Sequence, residues 1–254
     1  MDCLVINMDK DTERWVTVDK VLTDAGIEHR RFAAINGKEV GDEFDDMLVP
    51  GTRSIVPKGV LGSALSHKLA VADFVDRNEF EWLLLLEDDV LGHPKAKKRI
   101  EHLIKTAPAD CDVMKLTSSP EAFAYRKGPL LQKKKFTVDA CAQLIRRKGA
   151  EKLLKYRIIF PAYADVTPWF MPDLQVYVVR KDYTTFYQTW EGESNNAGKR
   201  YPDFRLNFKV LKLGPTDIEV TLGDILVVIT AGLVLWGATR LIRNTKRLGG
   251  KKYR

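Results

Sequence analysis

Apolar positions along this chain follow two habits, short unbroken runs and helical spacing, and they alternate. Residues 3–8 (CLVINM) form a short run that predicts a strand, as the opening of a fold rather than a secretory leader. Trp15, Val18, Val21 and Leu22 then recur at helical spacing over 11–25, and Gly26 stands where a helix C-cap belongs. A second strand is predicted over 27–34, followed by the turn dipeptide Asn36-Gly37, and residues 40–60 read as loop. Leu65, Leu69, Ala72 and Val75 mark a helix over 63–75. The run Trp82-Leu83-Leu84-Leu85-Leu86 has no alternation, the pattern of a central parallel strand covered on both faces. A helix over 94–106, strands over 111–116 and 140–145, a helix over 148–156 and a strand over 175–179 follow, with irregular chain at 118–135, 160–175 and 190–205. This alternation predicts one α/β domain with a mostly parallel sheet flanked by helices, spanning 1–216, and an appendage over 217–254.

Charge changes the picture only at one end. Of 41 Lys and Arg, seven fall between Arg240 and Arg254, where there is no acid; the remaining 34 are matched by 34 Asp and Glu. The body is therefore neutral, and net charge supports no nucleic-acid partner. Just before the basic tail, Ile225 to Thr239 runs 15 residues without a charge, and it extends to Ile242 if Arg240 snorkels. Asp224 on one side and the basic run on the other favour a hydrophobic helix that anchors residues 225–242 to a membrane. The expected location is membrane-associated with the body cytoplasmic. A shallow segment reconciles that side with the positive-inside rule, which places the tail there too. Cys3, Cys111 and Cys141 are odd in number and widely spaced, so they read as buried free thiols.

The remaining feature is chemical. Glu87, Asp88 and Asp89 close the long apolar run, where ligands of open α/β sheets bind. Adjacent carboxylates repel and raise one another's pKa unless a cation intervenes. Mg²⁺ or Mn²⁺ supplies one, since such ions take one or two carboxylates together with substrate phosphates. Strand alternation would put Glu87 and Asp89 on one side and Asp88 on the other. The plain alternative is a solvated acidic loop capping the next helix.

Several stretches, in order, resemble glycosyltransferase family 25. They are "VINMDKDTERW" (5–15), "FAAINGKEV" (32–40), "GVLGSALSHKLA" (59–70), "LLLLEDDV" (83–90), "CDVMKL" (111–116), "LIRRKGAEKLLKY" (144–156) and "YADVTPW" (163–169). The resemblance covers about residues 4–190 and leaves out the C-terminal end. It implies a GT-A-like fold and an inverting, metal-dependent transfer of a sugar, usually galactose, from a UDP-sugar. The acceptor would be a glycan, a lipid-linked glycan or a protein. Carried over, Glu87, Asp88 and Asp89 hold Mn²⁺ (or Mg²⁺) and the diphosphate, and Asn7, Asp9, Arg14, Ser66 and His67 lie at the donor. Asp165, with Asp89, is the catalytic candidate, as a second metal ligand or general base.

Two positions depart from the family's pattern: Asp139 and Gln143 stand where it usually has a glycine and an aromatic. They keep alive an alternative, an inactive GT-A-like domain that organises partners at a membrane. Trp169 and Phe170 could stack a sugar or simply anchor their segment. A metal-dependent phosphoesterase generally needs more His and Asp ligands than this sequence offers.

Overall fold

The computed structural model describes residues 1–117, 127–134, 139–158, 163–164 and 171–188, together with two short strands at 209–212 and 219–221. The chain divides into two compact units, Met1–Asn195 and Asn196–Arg254. The expected membrane segment at 225–242, the basic tail, Asp165, Trp169 and Phe170 lie outside the described residues. Among those that are described, no helix is long and apolar enough to cross a membrane.

The first unit holds a seven-stranded sheet. In chain order its strands are β1 (Asp2–Asn7), β2 (Arg30–Ala33), β3 (Trp82–Glu87), β5 (Val113–Lys115), β6 (Leu131–Lys134), β7 (Ala142–Arg146) and β8 (Val176–Val179). Across the sheet the order is β2-β1-β3-β7-β5-β8-β6. Pairs β2/β1, β1/β3 and β5/β8 are parallel. In contrast, β7 runs antiparallel to both neighbours and β6 runs antiparallel to β8. The sheet is mostly parallel, as the sequence predicts, but mixed, with five strands in one direction and two reversed. The reversal of β7 matters for function. It brings the amino end of that strand to the carboxyl end of β3, where Glu87 N donates to Cys141 O at 2.9 Å.

The five-residue run of β3 lacks alternation because both of its faces are covered. Leu83 and Leu85 pack with Leu61, Leu65 and Phe74 of α3 (Lys58–Arg77) and Leu153 of α5 (Arg147–Lys155). On the other face, Leu84 and Leu86 pack with Val18 and Leu22 of α1 (Thr12–Asp24) and with Ile100 and Leu103 of α4 (Ala96–Thr106). All four leucines are at most 1% exposed, which makes β3 the mechanical centre of the unit.

Helix α3 begins five residues earlier than the apolar spacing predicts, in a stretch read as loop, and ends at Asn78 in the left-handed conformation, a C-cap. Its first turns are clamped against the chain leaving β2. A side-chain carbon on Gly37 would lie 1.6 Å from Lys58 O, and one on Gly62 would lie 2.6 Å from Ile35 O. Two glycines therefore permit a backbone-to-backbone approach that no other residue allows. The C-terminal end of α5 is held by Lys68, whose Nζ donates to Leu154 O at 3.0 Å and Tyr156 O at 2.6 Å. Burial lowers the Lys68 pKa to about 8, and these carbonyls compensate its charge.

A separate two-stranded ribbon joins β4 (Val90–Gly92) to β9 (Phe186–Gln188), antiparallel, with Val90 opposite Gln188. Neither strand is evident in the sequence, each being only three residues long. In the second unit, β10 (Lys209–Lys212) and β11 (Glu219–Thr221) form an antiparallel pair.

Candidate active site

The three parallel strands β2, β1 and β3 deliver their carboxyl ends side by side, and the candidate residues collect there. β3 ends at Glu87, and Asp88 and Asp89 occupy a turn before β4. The alternation expected of Glu87, Asp88 and Asp89 is therefore lost: the strand stops before it can operate, and each carboxylate meets a different element. Glu87 Oε1 lies 3.1 Å from His67 Nε2 on α3. Asp88 Oδ2 accepts from Asn7 Nδ2 at 2.7 Å, and its Oδ1 lies 3.3 Å from Arg14 Nη1 on α1. Asp89 Oδ2 accepts from Gln188 Nε2 of β9 at 2.9 Å.

Burial, more than mutual repulsion, raises the pKa of Asp88 and Asp89. For Asp88 the burial effect is opposed by the Asn7 hydrogen bond and the Arg14 charge. Asp89 rises to about 6, first through burial and then through the neighbouring negative charge of Glu87, partly offset by Gln188. A carboxylate held in this way gains from a cation at its side.

Asn7 is 1% exposed and spends all its polar atoms inside the site. Its Nδ2 also donates to Asp11 O at 2.9 Å, and its Oδ1 accepts from Arg31 Nε at 2.7 Å. Arg31 goes on to Asp9 Oδ1 at 2.6 Å. Asp9 lines a cleft of about 440 Å³ at the ends of β1 and β2, with Met8, Ala34, Ile35, Asn36 and Phe44. Lys10 and Glu39 complete its lining, so four apolar residues and four polar or charged ones face it.

Ser66 is fully buried. Its Oγ donates to Gly62 O at 2.7 Å and accepts from Ile35 N at 2.8 Å, so the hydroxyl staples α3 to the loop after β2. Ile35, which the hydroxyl holds, is itself a wall of the cleft. His67, one residue on, meets Glu87 and is 4% exposed as a side chain. We expect His67→Ala to lower the turnover number roughly 10–100-fold with the circular-dichroism spectrum unchanged, and His67→Gln to recover part of it. Full activity in His67→Ala would remove His67 from the site.

The two departures from the family pattern are both built in. Asp139 adopts φ 105°, a conformation suited to glycine, and its carboxylate compensates locally. Oδ1 accepts from Cys141 N at 2.9 Å and Oδ2 accepts from Thr117 Oγ1, while Lys115 Nζ donates to its carbonyl at 2.6 Å. Gln143 is fully buried, opposite Leu85 of β3, and its Nε2 donates to Ala164 O at 2.8 Å. It thus ties down the chain one residue before Asp165. Cys141 and the other two cysteines are free and buried, as the sequence implied, and burial raises the pKa of each thiol.

Arg31 and Gln188 were not singled out from the sequence. Arg31 sits in register with Val5 of β1, on the face that carries Asn7 two residues on. Its signal was its place at the end of a predicted strand beside Asn7 and Asp9. Gln188 carries no such signal.

These features define an α/β protein with a polar, acidic cluster of side chains at the carboxyl ends of adjacent parallel strands. The model of glycosyltransferase family 25 (LPS biosynthesis protein) matches residues 1–167, so the chain belongs to that family and is a glycosyltransferase. No curated protein sequence matches the chain. Among solved structures it is similar to a glycosyltransferase involved in glycosylation of the major capsid of PBCV-1, at 12% identity and TM-score 0.44, covering 76% of this chain and 93% of that one. It is also similar to A197 from STIV, at 14% identity and TM-score 0.40, covering 71% of this chain and 83% of that one. A third is a Drosophila β1,4-galactosyltransferase 7 mutant in complex with manganese, UDP-Gal and xylobiose, at 13% identity and TM-score 0.37, covering 86% of this chain and 90% of that one.

Proposed function

We propose that the chain transfers a hexose, galactose foremost, from a UDP-sugar to a hydroxyl of a glycan, lipid-linked or protein acceptor, with inversion and with a divalent cation. The observation that carries this is the hydrogen-bonded chain that runs from Asp88 through Asn7 and Arg31 to Asp9 on the cleft wall, with Asp89, buried and raised in pKa, next to Asp88 in sequence. Among the residues that line the cleft, Ile35 and Phe44 suit a nucleobase face, Asn36, Glu39 and Asp9 suit the base edge and ribose, and Lys10 suits a phosphate.

The donor set fits a hard cation in chemical kind, since Glu87, Asp88 and Asp89 offer only oxygen. No group of three or more metal-type side chains is assembled among the described residues. A cation here would take one or two of these carboxylates and be completed by diphosphate oxygens. Asp89 and Glu87 would hold it, while Asn7 and Arg14 keep Asp88 oriented beside them. The cation would offset charge on the departing diphosphate. His67 holds Glu87, Gln188 holds Asp89, and Arg14 places a positive charge at the same end of β3. Inversion calls for a base at the acceptor hydroxyl, and Asp165 remains our candidate for it from the sequence.

The test is turnover of a panel of UDP- and GDP-sugars, read as transfer or hydrolysis, with Mn²⁺ and with EDTA. Turnover of a UDP-hexose that EDTA stops and Mn²⁺ restores is the expected result. Failure to turn over or bind any nucleotide sugar would sink the proposal.

A further inference from the structure

We propose that Arg31 is the positioning residue of the donor site, acting through Asn7 on Asp88 and directly on Asp9. This rests on the function proposed above and adds a residue to its site. Arg31 makes three contacts with its guanidinium: Nε to Asn7 Oδ1 at 2.7 Å, Nη2 to Asn7 O at 3.2 Å, and Nη2 to Asp9 Oδ1 at 2.6 Å. Its planar fork holds the backbone and side chain of one residue and the side chain of another, two positions further along the chain and just past β1.

The consequence lies in the orientation of the Asn7 amide. An amide presents one acceptor and two donors, and its two faces are nearly the same shape, so the network decides which way it points. Arg31 is a pure donor and fixes Oδ1 toward itself. Nδ2 is thereby turned to Asp11 O and to Asp88 Oδ2. In the reverse orientation Oδ1 would face the Asp88 carboxylate and an N–H would face a guanidinium, each pair repulsive. With Arg31 removed, Oδ1 of a residue 1% exposed loses its donor, and the orientation of the amide rests on Asp11 O and Asp88 Oδ2 alone. Asp88 then keeps Arg14, a longer contact at 3.3 Å from a different element.

The same guanidinium reaches the cleft. Asp9 is 84% exposed as a side chain, so its pairing with Arg31 contributes little to stability, yet it fixes where a carboxylate stands on the cleft wall. One residue of β2 therefore sets both the nucleoside wall and the acidic end of β3. Arg30, its neighbour, points to the other face and pairs with Asp2 and Asp73, away from the site.

The experiment has two readouts on the full chain. In ¹⁵N-labelled protein, the Asn7 side-chain amide pair is assigned by its loss in Asn7→Ala. Arg31→Ala and Arg31→Lys should both move that pair and speed its hydrogen exchange by at least about tenfold. An Asn7 amide unchanged in both variants overturns the proposal, whether or not the protein turns over sugar. In kinetics with the best UDP-sugar, on an Asp9→Ala background that removes the direct contact, Arg31→Ala and Asn7→Ala should each lower turnover roughly 10–100-fold, and carrying both should be no worse than Asn7→Ala within about twofold. Losses that multiply when both are carried would show that Arg31 acts independently of Asn7, and would overturn it. A wild-type chain that uses no nucleotide sugar counts against the proposed function alone, and the amide signal still decides the relay.

Discussion

Asp89→Asn is expected to abolish sugar transfer, by at least about 10³-fold, and to raise the thermal stability of the metal-free protein at pH 7.5. Both effects have one cause. The substitution is nearly isosteric and keeps a group that can accept from Gln188, but it removes the charge that a cation and a diphosphate require. Asp89 titrates at about 6 in the folded chain, above the value near 3.9 of an unfolded aspartate. The folded state therefore holds this proton more tightly than the unfolded chain does. The contribution of Asp89 to stability is fully present below about pH 4 and is lost as the pH rises through about 6. At neutral pH the buried charge costs the fold about 2–3 kcal/mol, of which an asparagine recovers about 1–2 because its amide must still be accommodated. Calorimetric melting at pH 5 and 7.5, with EDTA, reads this directly. The gain of the variant should be seen at pH 7.5 and shrink at pH 5. A variant that is inactive and also less stable at pH 7.5 would mean that Asp89 braces the fold.

Gly62→Val and Gly37→Ala are expected to produce the largest structural losses. Each added carbon meets backbone, which cannot move aside as a flexible side chain can: Lys58 O at 1.6 Å for Gly37, Ile35 O at 2.6 Å for Gly62. Relief requires α3 to separate from the loop after β2, which also breaks the Ser66 bridge to Ile35 N and Gly62 O. Overpacking of this kind costs about 3 kcal/mol or more. Because His67 follows Ser66 on the same helix, activity should fall further than the folded fraction does. Urea denaturation measures the first quantity and turnover per folded molecule the second. A midpoint within about 0.3 M of wild type would show that the clamp is looser than described.

The clamp also shows how far the sequence speaks for itself. "FAAING" and "GVLGSALSH" stand more than twenty residues apart, and nothing in their hydrophobic spacing says that they touch. Only the glycines hint at close approach. The long run at Leu83–Leu86 was legible because a strand covered on both faces needs no polar positions. The direction of its neighbour β7 was not, since a buried antiparallel strand carries the same apolar run as a parallel one. The acidic triplet announced its chemistry by composition, yet its geometry follows from the strand ending at Glu87 and turning. Sequence alternation could not show that His67, Asn7 with Arg14, and Gln188 would each take one carboxylate. Gln188 was hidden in a three-residue strand at the rim of the unit, too short to leave a periodic signal.

The central claim is that the end of β3 is a cation-dependent site for a nucleotide sugar, and calorimetric titration with UDP tests it most directly. Wild type should bind UDP in Mn²⁺, lose at least about 100-fold in affinity with EDTA, and show the same loss in Asp89→Asn with Mn²⁺ present. UDP binding that is indifferent to the cation and undiminished in Asp89→Asn would contradict it.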